Sequence, residues 1–313
     1  MKSKKKHQQL HSAIEEYLLI TYFWIMKRMW KILEKKERKS QREIPIWARM
    51  GIEIHSDCNR ECSFCPRYGD NTGIRKDPNG KHVRKTMPIE KIFDVMGQAE
   101  KLGFKGMIGF HRLSEPFLDK RYTEIAAYAK QKGMKVYENS NGDVLRKNPD
   151  LIAELDGLLD EIKIGLYDYK NKEGKKEQMK FWKNSFKKTN VTFSFAAEFP
   201  WVRKDSKLDL DGKGSIFFKR RNYPCHWPII GLLIRYDGEV QLCCEDNQCD
   251  FSLGNVFDLS IEEIWWSQKH IDIINVLKSS DSRNKYPLCK DCKLHGALPI
   301  GYIVQYPEID YFR

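Results

Sequence analysis

A chain of 313 residues is long enough for one large α/β domain and a smaller appendage. Its net charge is +12, but residues 1–40 hold 11 basic residues against 4 acidic ones, so the rest is too weakly basic to indicate a nucleic-acid partner. Nine cysteines could form disulfides in a secreted protein, but no signal-peptide pattern supports secretion. We therefore predict a cytoplasmic, reducing location, where clustered cysteines usually hold metals.

Residues 1–48 form a basic N-terminal extension. Within it, Ala13–Glu37 is predicted to be an amphipathic helix, and its apolar run, Tyr17–Met26, is shorter than the roughly 20 residues that cross a bilayer. A helix packed on the body or on a partner chain is the simpler interpretation. The alternative is an interfacial helix that gives peripheral contact with an anionic membrane.

From residue 49 to about 200, short apolar runs alternate with helix-like segments, which is typical of parallel βαβ units. Strands are predicted at 50–56, 105–111, 134–140, 161–167 and 191–199, and helices at 88–102, 119–132, 148–159 and 174–188. The sequence shows five such units, fewer than the eight of a closed barrel. The predicted fold is therefore α/β, a partial TIM-like (β/α) barrel of five to six units rather than a closed one.

Beyond residue 200 the alternation stops. A polar segment at 201–220 is predicted to be a linker or active-site cover, and two strands then meet at an Asp-Gly pair at 237–238, the favoured pair for a tight hairpin. A helix is predicted over Ser260–Ser279, opened by a capping box with Glu263. The predicted divisions are the extension at 1–48, the partial barrel at 49–200, the linker at 201–220, a small α+β domain at 221–298 and a tail at 299–313.

Three cysteines stand within eight residues, in CNRECSFCPR, directly after the first predicted strand. Their spacing, C-x3-C-x2-C at Cys58, Cys62 and Cys65, differs from that of paired zinc ligands and leaves one position of a metal centre open. Cysteine thiolates are the usual ligands of 4Fe–4S clusters, and three of them leave one iron free for a small molecule. The loops at the C-terminal ends of barrel strands are where such folds keep their sites.

The run CNRECSFCPR, with Phe64 just before the third cysteine, resembles the cluster motif of the radical S-adenosylmethionine (SAM) superfamily. The resemblance implies a 4Fe–4S cluster whose free iron binds the amino and carboxylate groups of SAM. One electron, from a donor such as flavodoxin or ferredoxin, would then split SAM into a deoxyadenosyl radical that abstracts hydrogen from a substrate.

Two further stretches are similar to SAM-binding motifs of that superfamily. FHRLSEPFLD at 110–119 resembles its Gly-Gly-Glu-Pro run, although Leu113 and Ser114 stand where glycines are common. NSNGDVL at 139–145 is similar to its Thr-Asn-Gly stretch. An ordinary capping or turn role is the alternative for each residue. The cofactor contacts that the resemblance implies are Phe64, Ser114, Glu115, Ser140 and Asn141.

The second half holds six more cysteines, in a setting that resembles the auxiliary iron–sulfur domain of the SPASM and twitch groups. The resemblance implies one auxiliary 4Fe–4S cluster, and a zinc site is the alternative. In the strand predicted after the hairpin turn, Val240 and Leu242 share an apolar face with Cys244, which leaves Cys243 as the ligand. The predicted ligands are Cys225, Cys243, Cys289 and Cys292.

Cys249 is surplus to both sets. It is either an ordinary thiol or the hydrogen-atom donor that the resemblance to epimerases of the superfamily implies, with Cys244 as the rival donor. Polar residues at predicted strand ends suit a hydroxylated or amino-sugar-like substrate, although a salt-bridge or cover role is the alternative for each. These candidates are His111, Arg112, Asn139, Tyr167, Asp168 and Glu198.

The predicted function is that of a radical SAM enzyme, a dehydrogenase or epimerase, that abstracts hydrogen from a small carbohydrate- or aminocyclitol-like molecule. The sequence of the second half resembles that of such enzymes from aminoglycoside biosynthesis. One alternative is a maturase of a ribosomal peptide. The other is an iron–sulfur scaffold or electron carrier without substrate chemistry.

Overall fold

A computed structural model describes residues 46–60, 62, 65, 83–168, 172–195, 225, 227–247, 249–279, 282–290 and 292. The N-terminal helix, the linker, the C-terminal tail, Phe64 and Glu198 lie outside these residues. Within the described ranges, no helix is long and apolar enough to cross a membrane.

Within the described residues, eight strands form one sheet, in the order β5-β4-β3-β2-β1-β6-β7-β8. The six strands from β5 to β6 pair in parallel, and β7 and β8 continue the sheet antiparallel. This arrangement confirms the predicted α/β fold with a partial parallel barrel. The strands are β1 Arg49–Ile52, β2 Met107–Gly109, β3 Lys135–Ser140, β4 Glu161–Gly165, β5 Asn190–Ser194, β6 Gly231–Ile234, β7 Glu239–Gln241 and β8 Ser252–Asn255.

The helices of the barrel half fall between the parallel strands, as βαβ units require. The helices of the described residues are α1 Ile89–Lys101, α2 Tyr122–Gln131, α3 Asp143–Lys147, α4 Pro149–Leu155, α5 Lys172–Ser185, α6 Trp227–Ile230, α7 Ile261–Trp265, α8 Gln268–Leu277 and α9 Pro287–Lys290. The short α3 was not predicted. The predicted helix at 119–132 begins later, at Tyr122, because Pro116–Leu118 forms a 3-10 turn.

The core lies where the helices cover one face of the sheet. On α1, Ile92, Val95, Met96 and Ala99 are buried at the spacing of a single helix face. In β3 the buried residues alternate with half-buried and exposed ones, so successive side chains face the helices and the barrel interior in turn. This alternation decides whether a side chain near the end of the strand faces the helices or the barrel interior.

The hairpin of the second half is part of the barrel sheet. Strand β6 pairs in parallel with β1, with Met50 opposite Leu232 and Ile52 opposite Ile234. The predicted turn is observed at Gly238, which has the positive φ of 83° that favours glycine. The sequence predicts only the hairpin, because the pairing with β1 joins residues about 180 positions apart.

The predicted single helix over Ser260–Ser279 is two helices, and this prediction was wrong in that respect. Helix α7 ends at Trp265, and Ser267 caps α8 by accepting a hydrogen bond from the backbone N–H of His270 at 3.3 Å. A second capping serine therefore breaks the helix. The capping box is confirmed, with Glu263 N donating to Ser260 Oγ at 3.2 Å and Ser260 N to Glu263 Oε2 at 2.8 Å.

Candidate active site at the barrel mouth

The three-cysteine motif leaves β1 at the edge where the parallel strands end. Asp57 Oδ1 accepts the N–H of Cys58 at 2.9 Å, and Cys65 N donates to Cys62 O at 2.9 Å. Burial raises the pKa of Cys62 to about 11, and the charges of Cys65 and Cys58 act in the same direction. The three thiols are therefore neighbours, as the motif predicts. None of the nine cysteines, all of which the structure describes, forms a disulfide.

Glu115 connects the three predicted SAM-binding stretches. Its carboxylate accepts hydrogen bonds from Ser140 Oγ at 2.7 Å and Asn141 N at 2.8 Å, and its own N–H donates to Asp57 O at 2.9 Å. Asn141 Nδ2 in turn lies 3.8 Å from Cys58 Sγ. The side chain of Glu115 is 2% exposed, and this burial raises its pKa to about 7 against the opposing effect of its hydrogen bonds.

Leu113 and Ser114 stand where the superfamily pattern has glycines, and the structure shows the environment of both. Leu113 N donates to Glu53 Oε1 at 3.0 Å, so this N–H is engaged within the protein. The buried Oγ of Ser114 has no hydrogen-bond partner among the described residues. A buried hydroxyl without a partner is costly, and a polar ligand group beside Glu115 would satisfy it. The residues present therefore fit SAM.

Asp168, a predicted substrate contact, instead pairs with the cysteine loop. Arg60 Nη1 lies 2.8 Å from Asp168 Oδ2, while its Nε lies 2.6 Å from Asp143 Oδ2 and its Nη2 lies 2.5 Å from Asp143 Oδ1. The hydrogen bond from Arg60 lowers the pKa of Asp143. This ion-pair network holds the loop against α3 and favours the salt-bridge role for Asp168. Sequence reasoning missed Arg60 and Asp143, although both lie inside the quoted motifs.

A histidine–carboxylate pair lies at the ends of β2 and β3. Glu138 is fully buried, and its Oε2 accepts Phe110 N at 3.0 Å and Tyr122 Oη at 2.8 Å. Its Oε1 contacts His111 Nδ1, and the other ring nitrogen, Nε2, lies 2.5 Å from Asn139 Nδ2. A Cβ at Gly109 would come within 3.0 Å of the His111 ring, so the glycine makes room for it.

Sequence reasoning named His111 and Asn139 but missed Glu138, which reads as an ordinary strand residue. Tyr167 completes this side of the mouth, where its hydroxyl lies 3.2 Å from Ser194 Oγ at the end of β5. Burial raises the pKa of Tyr167. His111, Asn139 and Tyr167 thus stand at the ends of three neighbouring strands, and their contact with a substrate stays a prediction.

The four predicted auxiliary ligands also come together. The charges of Cys225 and Cys292 act on both Cys243 and Cys289, and burial raises the pKa of both of these thiols. The N–H of Cys225 donates to Leu277 O at 2.8 Å, which fixes it at the end of α8. Among the described residues, no three His, Cys, Asp or Glu side chains lie close enough to hold one metal ion. The ligands of a 4Fe–4S cluster lie farther apart than those of a single metal ion, because each cysteine binds a different iron.

The strand that was predicted to run through Cys243 and Cys244 ends before either of them. Strand β7 ends at Gln241, and Leu242–Glu245 turn instead, so alternation does not separate Cys243 from Cys244. The charges of Cys225 and Cys292 act on both thiols. The choice of Cys243 stays a prediction.

Arg112 links the two halves of the chain. Its Nε donates to Gln241 Oε1 at 2.9 Å, and its Nη2 donates to Asp246 O at 3.5 Å and Asn247 Oδ1 at 3.4 Å. These partners flank the turn that carries Cys243. Arg112 was predicted to contact substrate, but the contacts described here are with the auxiliary half.

Cys249 lies in the loop organised by Asp246. The Asp246 carboxylate accepts Asp250 N at 2.8 Å and Phe251 N at 3.1 Å, and Cys249 has a positive φ of 59°. Burial raises the pKa of Cys249 to about 12, and the charges that act on it include those of Asp246 and Arg235. These are groups of the hairpin rather than the strand-end residues of the barrel.

The sequence matches the radical SAM superfamily over residues 52–190 and an iron–sulfur cluster-binding domain, SPASM, over residues 225–293. The chain belongs to the radical SAM superfamily and carries a SPASM domain. It is a radical SAM enzyme whose cofactors are a 4Fe–4S cluster, SAM and an auxiliary iron–sulfur cluster.

Among characterised proteins, it is similar to the S-adenosyl-L-methionine-dependent 2-deoxy-scyllo-inosamine dehydrogenase of Niallia circulans. The two are 25% identical over 254 residues, which cover 79% of this chain and 93% of the relative. The fold is similar to that of BtrN in complex with AdoMet and 2-DOIA, with a TM-score of 0.61, 22% identity and coverage of 80% of this chain and 94% of the other. It is also similar to native anSMEcpe with bound AdoMet, with a TM-score of 0.53, 15% identity and coverage of 84% and 95%.

Proposed function

We propose that this enzyme is a SAM-dependent dehydrogenase that oxidises a secondary alcohol of a small carbohydrate or aminocyclitol to a ketone. The observation that carries the proposal is the His111–Glu138 pair at the barrel mouth. Oxidation of a carbinol releases a proton as well as an electron, and a histidine held by a buried carboxylate is suited to accept it. The dehydrogenase relative supports the same choice of reaction.

The cofactor sites follow from the clustered side chains. Cys58, Cys62 and Cys65 would hold the first cluster, and Glu115 with Ser140 and Asn141 would receive the amino group of SAM. The auxiliary cluster would be held by Cys225, Cys243, Cys289 and Cys292. When bound, these groups supply the radical that abstracts the carbinol hydrogen and an acceptor for the electron released.

His111 has the hydrogen-bonding pattern of a general base. If Nδ1 donates its hydrogen to Glu138 Oε1, Nε2 keeps its lone pair, and the adjacent Asn139 amide donates to it. A substrate hydroxyl that replaces this amide would place its proton on Nε2. The carbinol radical then becomes a ketone by losing one proton to His111 and one electron to the oxidant. Glu138 would stabilise the imidazolium that results.

Epimerisation through Cys249 is the second candidate. The observation that favours it is the left-handed backbone of Cys249, since residues other than glycine in that region often mark functional sites. It ranks second because the charged groups that act on this thiol belong to the hairpin. Cys244 is the alternative donor.

The test uses 2-deoxy-scyllo-inosamine, deuterated at its carbinol carbons, with anaerobically reconstituted enzyme. We expect deuterium in deoxyadenosine and a product two hydrogens lighter than the substrate. In His111→Gln, which keeps a donor toward Glu138, deoxyadenosine should still acquire deuterium, but the yield of ketone per deoxyadenosine should fall at least about tenfold. Tyr122→Phe, which removes one hydrogen bond from Glu138, is the control and should keep that ratio.

Two results would overturn this proposal. An epimer carrying solvent deuterium, formed only when Cys249 is intact, would make the enzyme an epimerase. An unchanged ketone yield in His111→Gln would remove His111 from the chemistry. Oxidation of a different polyol or amino sugar in a substrate panel would keep the reaction and correct only the substrate.

A further inference from the structure

Two arginines approach the auxiliary cysteines from different parts of the chain. Arg112 comes from the barrel mouth, beyond the end of β2, and Arg283 lies in the 3-10 turn Ser282–Lys285 that precedes α9. Neither belongs to the cysteine pattern that identifies the iron–sulfur domain. Both bring a permanent positive charge to a partly or fully buried region.

Arg112 is held in place by three acceptors of the auxiliary half. These are Gln241 Oε1 at 2.9 Å, Asp246 O at 3.5 Å and Asn247 Oδ1 at 3.4 Å. Gln241 is 1% exposed, and its amide also donates to Asp246 O. The guanidinium is thus tied to both ends of the turn that contains Cys243, and its charge acts on Cys244.

Arg283 is 2% exposed and is joined to the last two cysteines by consecutive turns. Tyr286 N donates to Arg283 O at 3.3 Å, Cys289 N to Tyr286 O at 3.0 Å, and Cys292 N to Cys289 O at 3.3 Å. The charge of Arg283 acts on Cys289. A buried guanidinium beside a thiolate acts through little screening solvent.

The effect of such charges on an iron–sulfur cluster has a definite sign. Reduction adds a negative charge, so a nearby cation stabilises the reduced state and raises the reduction potential. The acids of the same region, Glu245 and Asp246, act in the opposite direction. The Asp246 carboxylate, however, is compensated by the N–H groups of Asp250 and Phe251.

We propose that Arg112 and Arg283 raise the reduction potential of the auxiliary cluster, so that it can accept the electron of the oxidised substrate. Arg112 is then a positioning and electrostatic residue rather than a substrate contact. Its use in oxidation rests on the proposed function, but its effect on the potential does not. The two claims therefore fail separately.

The experiment is an anaerobic redox titration, read by EPR, of the full chain with Cys58, Cys62 and Cys65 replaced by alanine, so that only the auxiliary cluster is observed. In this background we compare Arg112→Gln, Arg112→Lys, Arg283→Gln and Gln241→Leu. The control is Arg146→Gln, an arginine that lies over Phe181 and Trp182 on the helix side. Iron is counted in every variant.

We expect Arg112→Gln and Arg283→Gln to lower the midpoint potential. Arg112→Lys, which keeps the charge, should lower it less, and Arg146→Gln should leave it unchanged. Gln241→Leu, which removes a hydrogen bond but no charge, should shift it less than Arg112→Gln.

Unchanged potentials in both glutamine variants at full iron content would overturn the proposal. Equal shifts in Arg112→Gln and Arg112→Lys would also overturn it, because the effect would then come from loop position and not from charge. If Arg112→Gln fails to retain iron, Arg283→Gln and Arg112→Lys decide. Expected shifts in an enzyme that forms no ketone from any polyol would contradict only the proposed function.

Discussion

Replacing Glu115 by glutamine should make the protein more stable at alkaline pH and weaken its binding of SAM. The carboxyl is 2% exposed, and burial is the largest influence on its pKa, which rises from an ordinary 4.5 to about 7. The native state therefore binds this proton more tightly than the unfolded state does. The stability that this group contributes is present below about pH 4.5 and is lost as the pH rises through 7.

The size of the effect follows from that change in pKa. A rise from 4.5 to about 7 corresponds to about 3 kcal/mol of unfolding free energy lost between acid and alkaline pH. Glutamine does not ionise, so the variant should not show this loss. The glutamine Oε1 would still accept a hydrogen bond from one of the donors Ser140 Oγ and Asn141 N, but its NH2 group would face the other, which would cost about 1–2 kcal/mol at every pH.

The assay is anaerobic chemical denaturation of the cluster-loaded protein without SAM, at pH 5 and pH 8. The difference in stability between Glu115→Gln and the original protein should change in favour of the variant by about 2.5 kcal/mol from pH 5 to pH 8. SAM affinity at pH 8 should fall roughly 10- to 100-fold in the variant, because a charge-assisted hydrogen bond is lost. The control is Glu124→Gln, an exposed acid on α2. Parallel stability profiles of the variant and the original protein from pH 5 to pH 8 would show that the Glu115 carboxyl does not lose a proton in this range.

Further predictions concern the clusters, a turn and a cap. In the background that lacks Cys58, Cys62 and Cys65, Cys243→Ala should abolish the remaining iron, about four atoms, while Cys244→Ala should retain it. The opposite result in iron analysis would make Cys244 the ligand in place of Cys243. Gly142→Ala should destabilise by about 2–4 kcal/mol in denaturant titrations, because φ is +79° and a Cβ would lie 2.7 Å from the Trp182 ring. Gly133→Ala, with φ +75° but open space, should cost only about 1 kcal/mol, and equal losses would contradict the packing argument. Ser260→Ala should lower stability by about 1 kcal/mol through loss of the capping box, and an unchanged denaturation midpoint would contradict it.

The sequence predicts best what depends on neighbouring residues. The cysteine spacing, the Asp-Gly turn and the Ser260 capping box are local patterns, and the strand–helix alternation fixes the parallel units in order. The hydrogen bond of Ser140 to Glu115 joins residues 25 positions apart, and the resemblance to known motifs indicated only that each residue lies near the cofactor.

The rest depends on pairings that no local pattern records. Glu138 looks like any buried-face strand residue until His111 and Tyr122 are seen beside it. Arg112 and Gln241 are 129 positions apart, and nothing in either segment indicates the other. The early end of β7 was missed because Leu242 continues the apolar alternation, although the chain has already begun to turn.

We propose that the chain holds two iron–sulfur clusters and uses them, with SAM, to oxidise a small alcohol. The most direct measurement is a single anaerobic incubation of the reconstituted enzyme with SAM, a reductant and carbinol-deuterated 2-deoxy-scyllo-inosamine, with iron counted beforehand. We expect about eight irons per chain, deuterated deoxyadenosine and an equal amount of ketone. About four irons, or deoxyadenosine without deuterium and without ketone across a panel of polyols and amino sugars, would contradict it.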